Sequence, residues 1–421
     1  MTANDSCAQV RGKWGEMLAA SSAQGHAEAF QQGDCGGIVQ HVRVAIVSEC
    51  FLPTINGVTN SVLRVIEHLR RGGHKVLVIA PRIGEPTSYQ GTPVVRVPAL
   101  NLPVVNSMPV GLPTRRVLTA LREFVPDVVH LAAPFVVGAR GLAAARRLKI
   151  PTVAVYQTDV AGFAASYGLG LTARAAWRWT CRLHSLADRT LAPSSWAADA
   201  LRSRGVPRVY QWVRGVDISR FRPSRRSESL RRLLAPRGEL VVGYVGRLAP
   251  EKQVERLAAL TGDRRKKLVV VGDGPSKSKL RESLPGATFL GFRDGEELAE
   301  IYASLDVFVH TGPSETFCQA VQEALASGVP VVALDAGGPR DLVAPGRTGY
   351  LIPPGSDPSD PASASALRAA VDALADPERR RACGLAARRS VLRRDWGSVC
   401  DQLVAHYAEL AGNNGISPRA A

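Results

Sequence analysis

The sequence has no apolar run close to the roughly 18 residues that a membrane-spanning helix needs. The best candidate, residues 128–145, is interrupted by His130, Pro134 and Arg140. The N-terminus also lacks the apolar core of a secretory signal. We therefore expect a cytoplasmic protein that, where it meets a membrane, lies peripherally on the inner face.

Cysteine patterns that bind metals or form disulfides are missing as well. The cysteines number seven, are scattered, and include no C-x-x-C pair. This pattern argues against a structural zinc or a disulfide framework and indicates a reducing compartment.

Acidic residues are few relative to basic ones. The chain has 53 Lys and Arg against 37 Asp and Glu, a formal charge of +16. A basic surface suits nucleic acid, anionic lipid or phosphorylated ligands. No zinc-finger spacing, RNP-like aromatic motif or basic-region zipper is present, so we expect no nucleic-acid partner. A GC-rich genome is an alternative explanation for the arginine excess.

The chain begins with a segment unlike the rest. Residues 1–41 are rich in Ala, Gln, Gly and Ser and show weak periodicity. We expect them to form a poorly ordered extension, upstream of a natural start near Val42. A compact apolar run at residues 42–47 is typical of a buried parallel strand.

From this run onward, strand and helix patterns alternate, pause in a basic linker at residues 214–237, and then restart. The alternation predicts an α/β fold of two Rossmann-like, doubly wound parallel sheets that face each other across a cleft. The predicted N-terminal domain covers residues 42–220 and the predicted C-terminal domain covers residues 221–395. An amphipathic helix at residues 396–411 ends the pattern.

Ligands of doubly wound sheets bind at the carboxyl ends of the strands, so we expect functional residues there. Arg247 and Lys252 follow one predicted strand, and two cations on one loop can clamp a pyrophosphate. A solvated basic turn is the alternative. After a later strand ending at His310, Glu315 and Glu323 lie eight residues apart.

The segment that carries these two glutamates is predicted to be a helix that follows the turn at residues 312–314 and ends at Gly328. Residues 315–317 would then form a helix N-terminus, which favours phosphate binding. Glu315 and Glu323 would lie near the same helical face, one touching sugar hydroxyls and the other the ribose diol. A glutamate that merely complements the helix dipole is the alternative.

Three weaker loops also follow strands. Gly272, within Val-Gly-Asp-Gly-Pro, permits close backbone approach beside a nucleotide. Asn56 and Gly57 open a helix after the first strand, and an ordinary strand-to-helix turn is the alternative. Gln157 and Asp159 could hydrogen-bond a sugar, although Asp159 would serve equally as a helix cap.

Together these motifs resemble those of the retaining GT-B glycosyltransferases of family four, over about residues 42–411. The resemblance rests on the G-R-x-x-x-x-K pair, the E-x7-E pair, the G-D-G-P turn, the Gly-Val-Asp linker and the terminal helix. Within the family, the runs at residues 153–159 and 335–341 look most like those of actinobacterial GDP-mannose-dependent α-mannosyltransferases of glycolipid synthesis.

The resemblance implies roles for individual residues. Arg247 and Lys252 would bind the donor pyrophosphate, Glu315 the transferred sugar and Glu323 the ribose. Donor contacts from three further residues are implied: Gly57 near the phosphates, and Thr316 and Phe317 at the predicted helix N-terminus. The terminal helix would cross back to the N-terminal domain.

The sequence departs from many relatives at one position. Where they carry a sugar-contacting histidine, this chain has Gln157, which cannot act as an acid or base and is therefore expected only to bind. No Asp-x-Asp metal signature is present either, so we expect no cofactor and no essential metal. Transfer would be retaining, from GDP-mannose to a lipid-linked acceptor at an anionic membrane surface.

Three alternatives stay open at this stage. A family member using a UDP-sugar to make a glycolipid, such as a UDP-glucose or UDP-sulfoquinovose enzyme, would keep the same site. A nucleotide-sugar epimerase on the same fold would turn over the donor without an acceptor. A non-enzymatic nucleotide-binding or nucleic-acid-binding protein would not need both the basic pair and the acidic pair.

Overall fold

The computed structural model describes residues 41–82, 86–100, 110–112, 114–159 and 170–412. The predicted extension falls outside these residues, apart from His41.

The first domain contains one large sheet and a small ribbon. Its strands are β1 (Arg43–Ser48), β2 (Lys75–Pro81), β3 (Ser88–Tyr89), β4 (Thr92–Val97), β5 (Ala99–Leu100), β6 (Val110–Gly111), β7 (Val128–Ala132), β8 (Thr152–Val155), β9 (Arg189–Ala192) and β10 (Val209–Gln211). Eight of them form a sheet in the order β10-β9-β8-β7-β1-β2-β4-β3, parallel except for the β3–β4 pair, and β5 pairs with β6. Its helices are α1 (Gly57–Arg71), α2 (Arg116–Phe124), α3 (Val137–Leu148), α4 (Gly170–Leu186) and α5 (Ser195–Arg202).

The second domain repeats the plan on a six-stranded parallel sheet. Its strands are β11 (Leu240–Val245), β12 (Lys266–Val271), β13 (Thr288–Gly291), β14 (Val307–His310), β15 (Val331–Leu334) and β16 (Gly349–Ile352), in the order β13-β12-β11-β14-β15-β16. Its helices are α6 (Glu228–Leu234), α7 (Lys277–Ser283), α8 (Gly295–Ser304), α9 (Gln319–Ala326), α10 (Pro361–Ala373) and α11 (Pro377–Val391), and α12 (Trp396–Gly412) follows.

The central strands form because apolar runs bury both faces of each sheet. In β1, every residue after Arg43 is buried. Helix α1 then begins where the Asn56 side chain accepts a 2.9 Å hydrogen bond from the amide of Thr59, and it ends at Gly72. The α/β fold class is confirmed, with parallel sheets in both domains.

Helix α12 returns to the first domain, as the sequence predicts. Val399, Cys400, Leu403 and Tyr407 are buried in a cluster that also contains strand β1 residues. The Tyr407 hydroxyl lies 2.5 Å from Nδ1 of His130 on β7. The chain therefore crosses between the domains twice, once in each direction.

These two crossings run side by side. Val216 donates to the Arg394 carbonyl at 2.9 Å and forms a parallel bridge with Asp395. A Cβ on Gly215 would lie 2.6 Å from Trp396, so the close approach requires glycine. We call residues 214–216 and 394–396 the hinge.

The basic segment at residues 214–237 was predicted to be a linker, but part of it is helical. Helix α6 occupies its middle, capped by the Ser227 side chain, which accepts from the Leu230 amide at 3.3 Å. Arg231 of this helix pairs with buried Asp306 at 2.9 Å. The basic run therefore packs onto the second domain.

Candidate functional site

The predicted site residues come from the carboxyl ends of strands in both sheets. In the first domain they follow β1 and β8. In the second domain they follow β11, β12 and β14. This is the edge of a doubly wound sheet at which ligands bind.

Lys252, Glu315 and His310 form the polar centre of the site. Oε1 of Glu315 accepts from Lys252 Nζ at 2.5 Å and lies 3.1 Å from His310 Nε2. Burial alone would raise the pKa of Glu315, but Lys252 and His310 lower it to about 2. Burial alone would lower the pKa of Lys252, but Glu315 raises it. The pair is therefore fully ionised at neutral pH.

Glycines let the loops after β11 and β12 run against each other. A Cβ on Gly272, whose φ is 132°, would lie 1.9 Å from the Gly246 carbonyl oxygen. A Cβ on Gly274 would lie 2.3 Å from that of Leu248. Arg247 stands on this paired loop, 43% exposed and 3.6 Å from Glu251. Its guanidinium is thus accessible to an anionic ligand.

The segment that carries Glu315 is a turn, which corrects the prediction of a helix starting there. Helix α9 begins only at Gln319, because Cys318 adopts φ 84° and interrupts helical geometry. The Glu315 carbonyl accepts instead from the Gly338 amide at 2.7 Å. The Phe317 side chain is 2% exposed in the domain core, so only its backbone is available to a ligand.

Glu323 lies on α9, and the expected shared helical face with Glu315 does not exist, because Glu315 precedes the helix. Burial raises the pKa of Glu323 to about 7, against the lowering effect of Tyr302, Gln319 and Arg214. The two glutamates thus differ in ionisation, and they occupy different elements.

Gln157 meets the second domain directly. Its carbonyl accepts from the Thr316 hydroxyl at 3.1 Å, and the Thr316 carbonyl accepts from the Ser194 hydroxyl at 2.7 Å. The Gln157 side chain is buried, and its amide oxygen has no hydrogen-bond partner among the residues that the structure describes. The turn after β14 is therefore tied to the first domain at two points.

The structure gives the remaining first-domain residues mainly structural partners. Asn56 caps α1. Gly57 lies against Arg214, whose guanidinium donates to the Gly57 carbonyl. Asp159 is near the Tyr156 hydroxyl, whose pKa is raised first by burial and then by Asp159.

Three residues that the sequence did not single out belong to this arrangement. His310 bonds Glu315, and its signal was its position at the end of β14. Asp341 accepts from the amide and hydroxyl of Ser195 and so joins the domains. Arg214 contacts Gly57 across the hinge. The last two contacts are long-range in sequence and left no local signal.

A soft metal has one set of candidate ligands among the described residues. Ligand-type atoms of His310, Glu315 and Cys318 lie within 4.8 Å of one another. The Lys252 ammonium already bonds the same carboxylate oxygen, however. A cation bound there would have to displace an ion pair.

Family models match both halves of the chain. The model for Glycosyltransferase Family 4 matches residues 55–220, and that for glycosyl transferases group 1 matches residues 225–390.

Three similar proteins are named for different reactions. A GDP-mannose-dependent alpha-mannosyltransferase of Mycobacterium tuberculosis is 57% identical over 376 residues, 88% of this chain and 97% of the relative. The sulfoquinovosyl transferase SQD2 of Arabidopsis thaliana is 34% identical, covering 83% of this chain and 70% of the relative. An alpha-monoglucosyldiacylglycerol synthase of Streptococcus pneumoniae is 25% identical, covering 69% and 71%.

A solved structure shares the fold. Anabaena Alr3699/HepE in complex with UDP superposes with a TM-score of 0.71 and 21% identity, covering 87% of this chain and all of that one.

Proposed function

This chain belongs to glycosyltransferase family 4, and from that premise we propose that it transfers mannose from GDP-mannose to a glycolipid acceptor with retention of configuration. The 57% identity to a GDP-mannose-dependent alpha-mannosyltransferase, over 97% of that relative, carries the choice of donor and sugar. The 34% identity to a sulfoquinovosyl transferase makes a UDP-sugar donor the weaker alternative.

The cationic loop binds the donor diphosphate in this proposal. Arg247 is accessible, and Lys252 is charged and held at the cleft by Glu315. Both would stabilise the negative charge that develops on the departing GDP. Gly57 would place the start of α1 close to the same phosphates. Gly272 lets the loop after β12 pack against the loop after β11, beside the proposed phosphate position.

Glu315 and Glu323 bind different parts of the donor in this proposal. Glu315, ionised and fixed by two partners, would accept from hydroxyls of the transferred mannose. Glu323 would accept from the ribose diol. Thr316 and the backbone at Phe317 would line the donor between them. Gln157 and Asp159 would contact the sugar or acceptor.

The proposed displacement occurs on one face of the sugar, with the leaving diphosphate helping to deprotonate the acceptor hydroxyl. Glu315 is a poor base because its pKa is about 2. Gln157 cannot move a proton at all. The oxygen of the leaving diphosphate is therefore the base that we propose for the attacking hydroxyl.

We expect transfer to proceed without a metal. Lys252 and Arg247 supply the positive charge that a divalent ion provides in other transferases. Activity should therefore be unchanged in excess EDTA, measured as GDP release. Loss of activity that Mg²⁺ restores would contradict this prediction. Restoration by Zn²⁺ alone would instead implicate His310, Glu315 and Cys318.

The acceptor is proposed to be presented at an anionic membrane surface. Among the described residues, no helix is long and apolar enough to cross a bilayer. Exposed basic residues crowd α3 and α4: Arg140, Arg146, Arg147, Lys149, Arg174, Arg178 and Arg182. Trp179 is 38% exposed beside them. Trp177 is occupied otherwise, since Arg204 stacks on its ring at 4.1 Å.

This surface predicts salt-sensitive binding to anionic vesicles. Replacing Arg174, Arg178 and Arg182 with Gln should lower the partition coefficient into anionic liposomes by about 100-fold, at about 1 kcal/mol per charge. Replacing the equally exposed Arg381, Arg389 and Arg393 of the second domain is the charge-matched control. Equal partition of the parent protein into anionic and neutral vesicles would contradict the prediction.

The donor itself is tested by nucleotide release from GDP-mannose, UDP-glucose and UDP-N-acetylglucosamine, with and without an actinobacterial lipid extract. We expect lipid-dependent release from GDP-mannose alone. Release from a UDP-sugar would overturn the mannose assignment. Conversion of the donor without lipid and without GDP release would indicate an epimerase.

A further inference from the structure

Arg214 carries a buried positive charge that the donor contacts described above do not use. It is 9% exposed and lies at the first chain crossing of the hinge. Its guanidinium donates to the carbonyl of Gly57, the first residue of α1. A Cβ on Gly57 would lie 3.2 Å from Arg214 Nη1, so a side chain there would crowd the guanidinium by a few tenths of an ångström.

The backbone at Arg214 is held by the second domain. Gln322 Nε2 donates to the Arg214 carbonyl at 3.0 Å, and Gln319 Nε2 donates to the Gly215 carbonyl at 3.1 Å. Gln319, Gln322 and Glu323 are spaced i, i+3 and i+4 on α9, which places them on one helical face. This face packs against the hinge.

The charge of Arg214 acts on Glu323, which is on the same face. Burial lowers the pKa of Arg214 to about 10 and Glu323 raises it, so the guanidinium is charged at neutral pH. The groups that affect Glu323 come from four surrounding elements: Tyr302 of α8, Gln319 of α9, Arg214 of the hinge and Arg220 of the segment that follows it. Cys318 also lies close enough to sense the Glu323 charge.

We propose that Arg214 is a positioning residue for nucleotide-sugar binding, which joins the Gly57 loop of the first domain to the Glu323 face of the second. The Arg214 guanidinium holds the Gly57 loop and the Arg214 backbone is held by α9, so one residue spans the two sides of the proposed nucleoside diphosphate site. The inference rests on the proposed function for the roles of Gly57 at the phosphates and Glu323 at the ribose diol.

The arrangement has two separable consequences. The contact with Gly57 is geometric, and its loss loosens the phosphate side of the pocket at every pH. The charge next to Glu323 is electrostatic, and its loss favours the protonated acid. Because the carboxylate accepts ribose hydroxyls better than the acid does, donor affinity should fall as pH drops through the Glu323 pKa of about 7. Without Arg214 this fall should occur at higher pH.

The experiment compares Arg214→Met and Arg214→Lys with Arg220→Met. Arg220 also lowers the Glu323 pKa, but its nearest charged partners are Asp217 and Glu296. We expect Arg214→Met to raise the KM for GDP-mannose at least about tenfold at pH 8.5, a buffer value chosen as roughly 1.5 units above the Glu323 pKa, with kcat changing less. Arg220→Met should leave that KM unchanged.

The pH profile separates positioning from simple destabilisation. The acid limb of kcat/KM for the donor should move to higher pH in Arg214→Met and return towards the parent position in Arg214→Lys. In a Glu323→Gln background the acid limb should disappear. Adding Arg214→Met to that variant should then raise the donor KM equally at every pH and leave the shape of the pH profile unchanged. Thermal unfolding of each variant checks that the protein is folded under the conditions of the kinetic measurements.

Two outcomes would overturn the inference: an unchanged donor KM in folded Arg214→Met, or a pH limb that moves equally with and without Glu323. Calorimetric titration with GDP and UDP distinguishes this failure from failure of the proposed function. If the parent protein transfers no mannose but binds a nucleoside diphosphate, the Arg214 effect is read from that binding alone.

Discussion

Lys252→Met should lower kcat/KM for GDP-mannose by about 100- to 1,000-fold, which corresponds to about 3–4 kcal/mol of lost transition-state stabilisation. The loss has two causes. The departing GDP loses a cation that is fixed in place by the 2.5 Å bond to Glu315. Glu315 in turn loses its main ionic partner, and its pKa rises from about 2, so its hold on the sugar weakens. Steady-state GDP release measures the effect.

A double-mutant cycle identifies the two residues as one unit. Glu315→Gln should cost about as much as Lys252→Met, and the double variant much less than the sum, because each change already disables the pair. Lys266→Met is the matched control, since Lys266 forms ion pairs with Asp263 at 3.0 Å and Asp372 at 2.5 Å at the start of β12, opposite to the strand ends that carry the proposed donor contacts. Additive losses in the double variant would mean that the pair does not act together.

The sequence predicted the sheets and their loops well, for a physical reason. A strand buried on both faces must be a continuous apolar run, as in β1 and β12. The topology then places whatever follows each strand at one edge of the sheet. Lys252 and Glu315 are 63 residues apart, yet they meet because both follow strands whose neighbours are fixed in the sheet.

The prediction was wrong where a long-range contact overrides a local pattern. Residues 315–317 were predicted to form the N-terminus of a helix, but Gly337 and Gly338 pack against this segment from the loop after β15. The positive φ of Cys318 accompanies that packing and delays α9 to Gln319. The hydrophobic periodicity of a segment carries no information about such a contact with a distant loop.

The coupling through Arg214 escaped the sequence for a related reason. A lone arginine in a basic segment is indistinguishable from its solvated neighbours until the fold buries it. The informative feature was the glycine at position 57, whose missing side chain makes room for the guanidinium. In the sequence alone, a glycine at this position is explained equally well by an ordinary strand-to-helix turn or by a nearby ligand.

Tyr407→Ala should destabilise the first domain by about 3–5 kcal/mol, as truncation of a fully buried aromatic residue does. Tyr407 has no exposed surface, and it anchors α12 among β1 and β7 residues through its 2.5 Å contact with His130. Burial lowers the pKa of His130 to about 3, so the histidine is neutral, and within the described residues the Tyr407 hydroxyl is the partner of its Nδ1. Urea unfolding followed by tryptophan fluorescence measures the change.

Tyr407→Phe separates the hydrogen bond from the packing. It keeps the ring and leaves the His130 nitrogen unpartnered, so it should cost about 1–3 kcal/mol. Because α12 starts at the hinge, Tyr407→Ala should also raise the donor KM in the fraction that stays folded, whereas Tyr407→Phe should not. Equal stability of the two variants would mean that the hydrogen bond, and not the ring, holds the returning helix in place. A loss below about 1 kcal/mol in Tyr407→Ala would mean that α12 is held by its other buried residues alone.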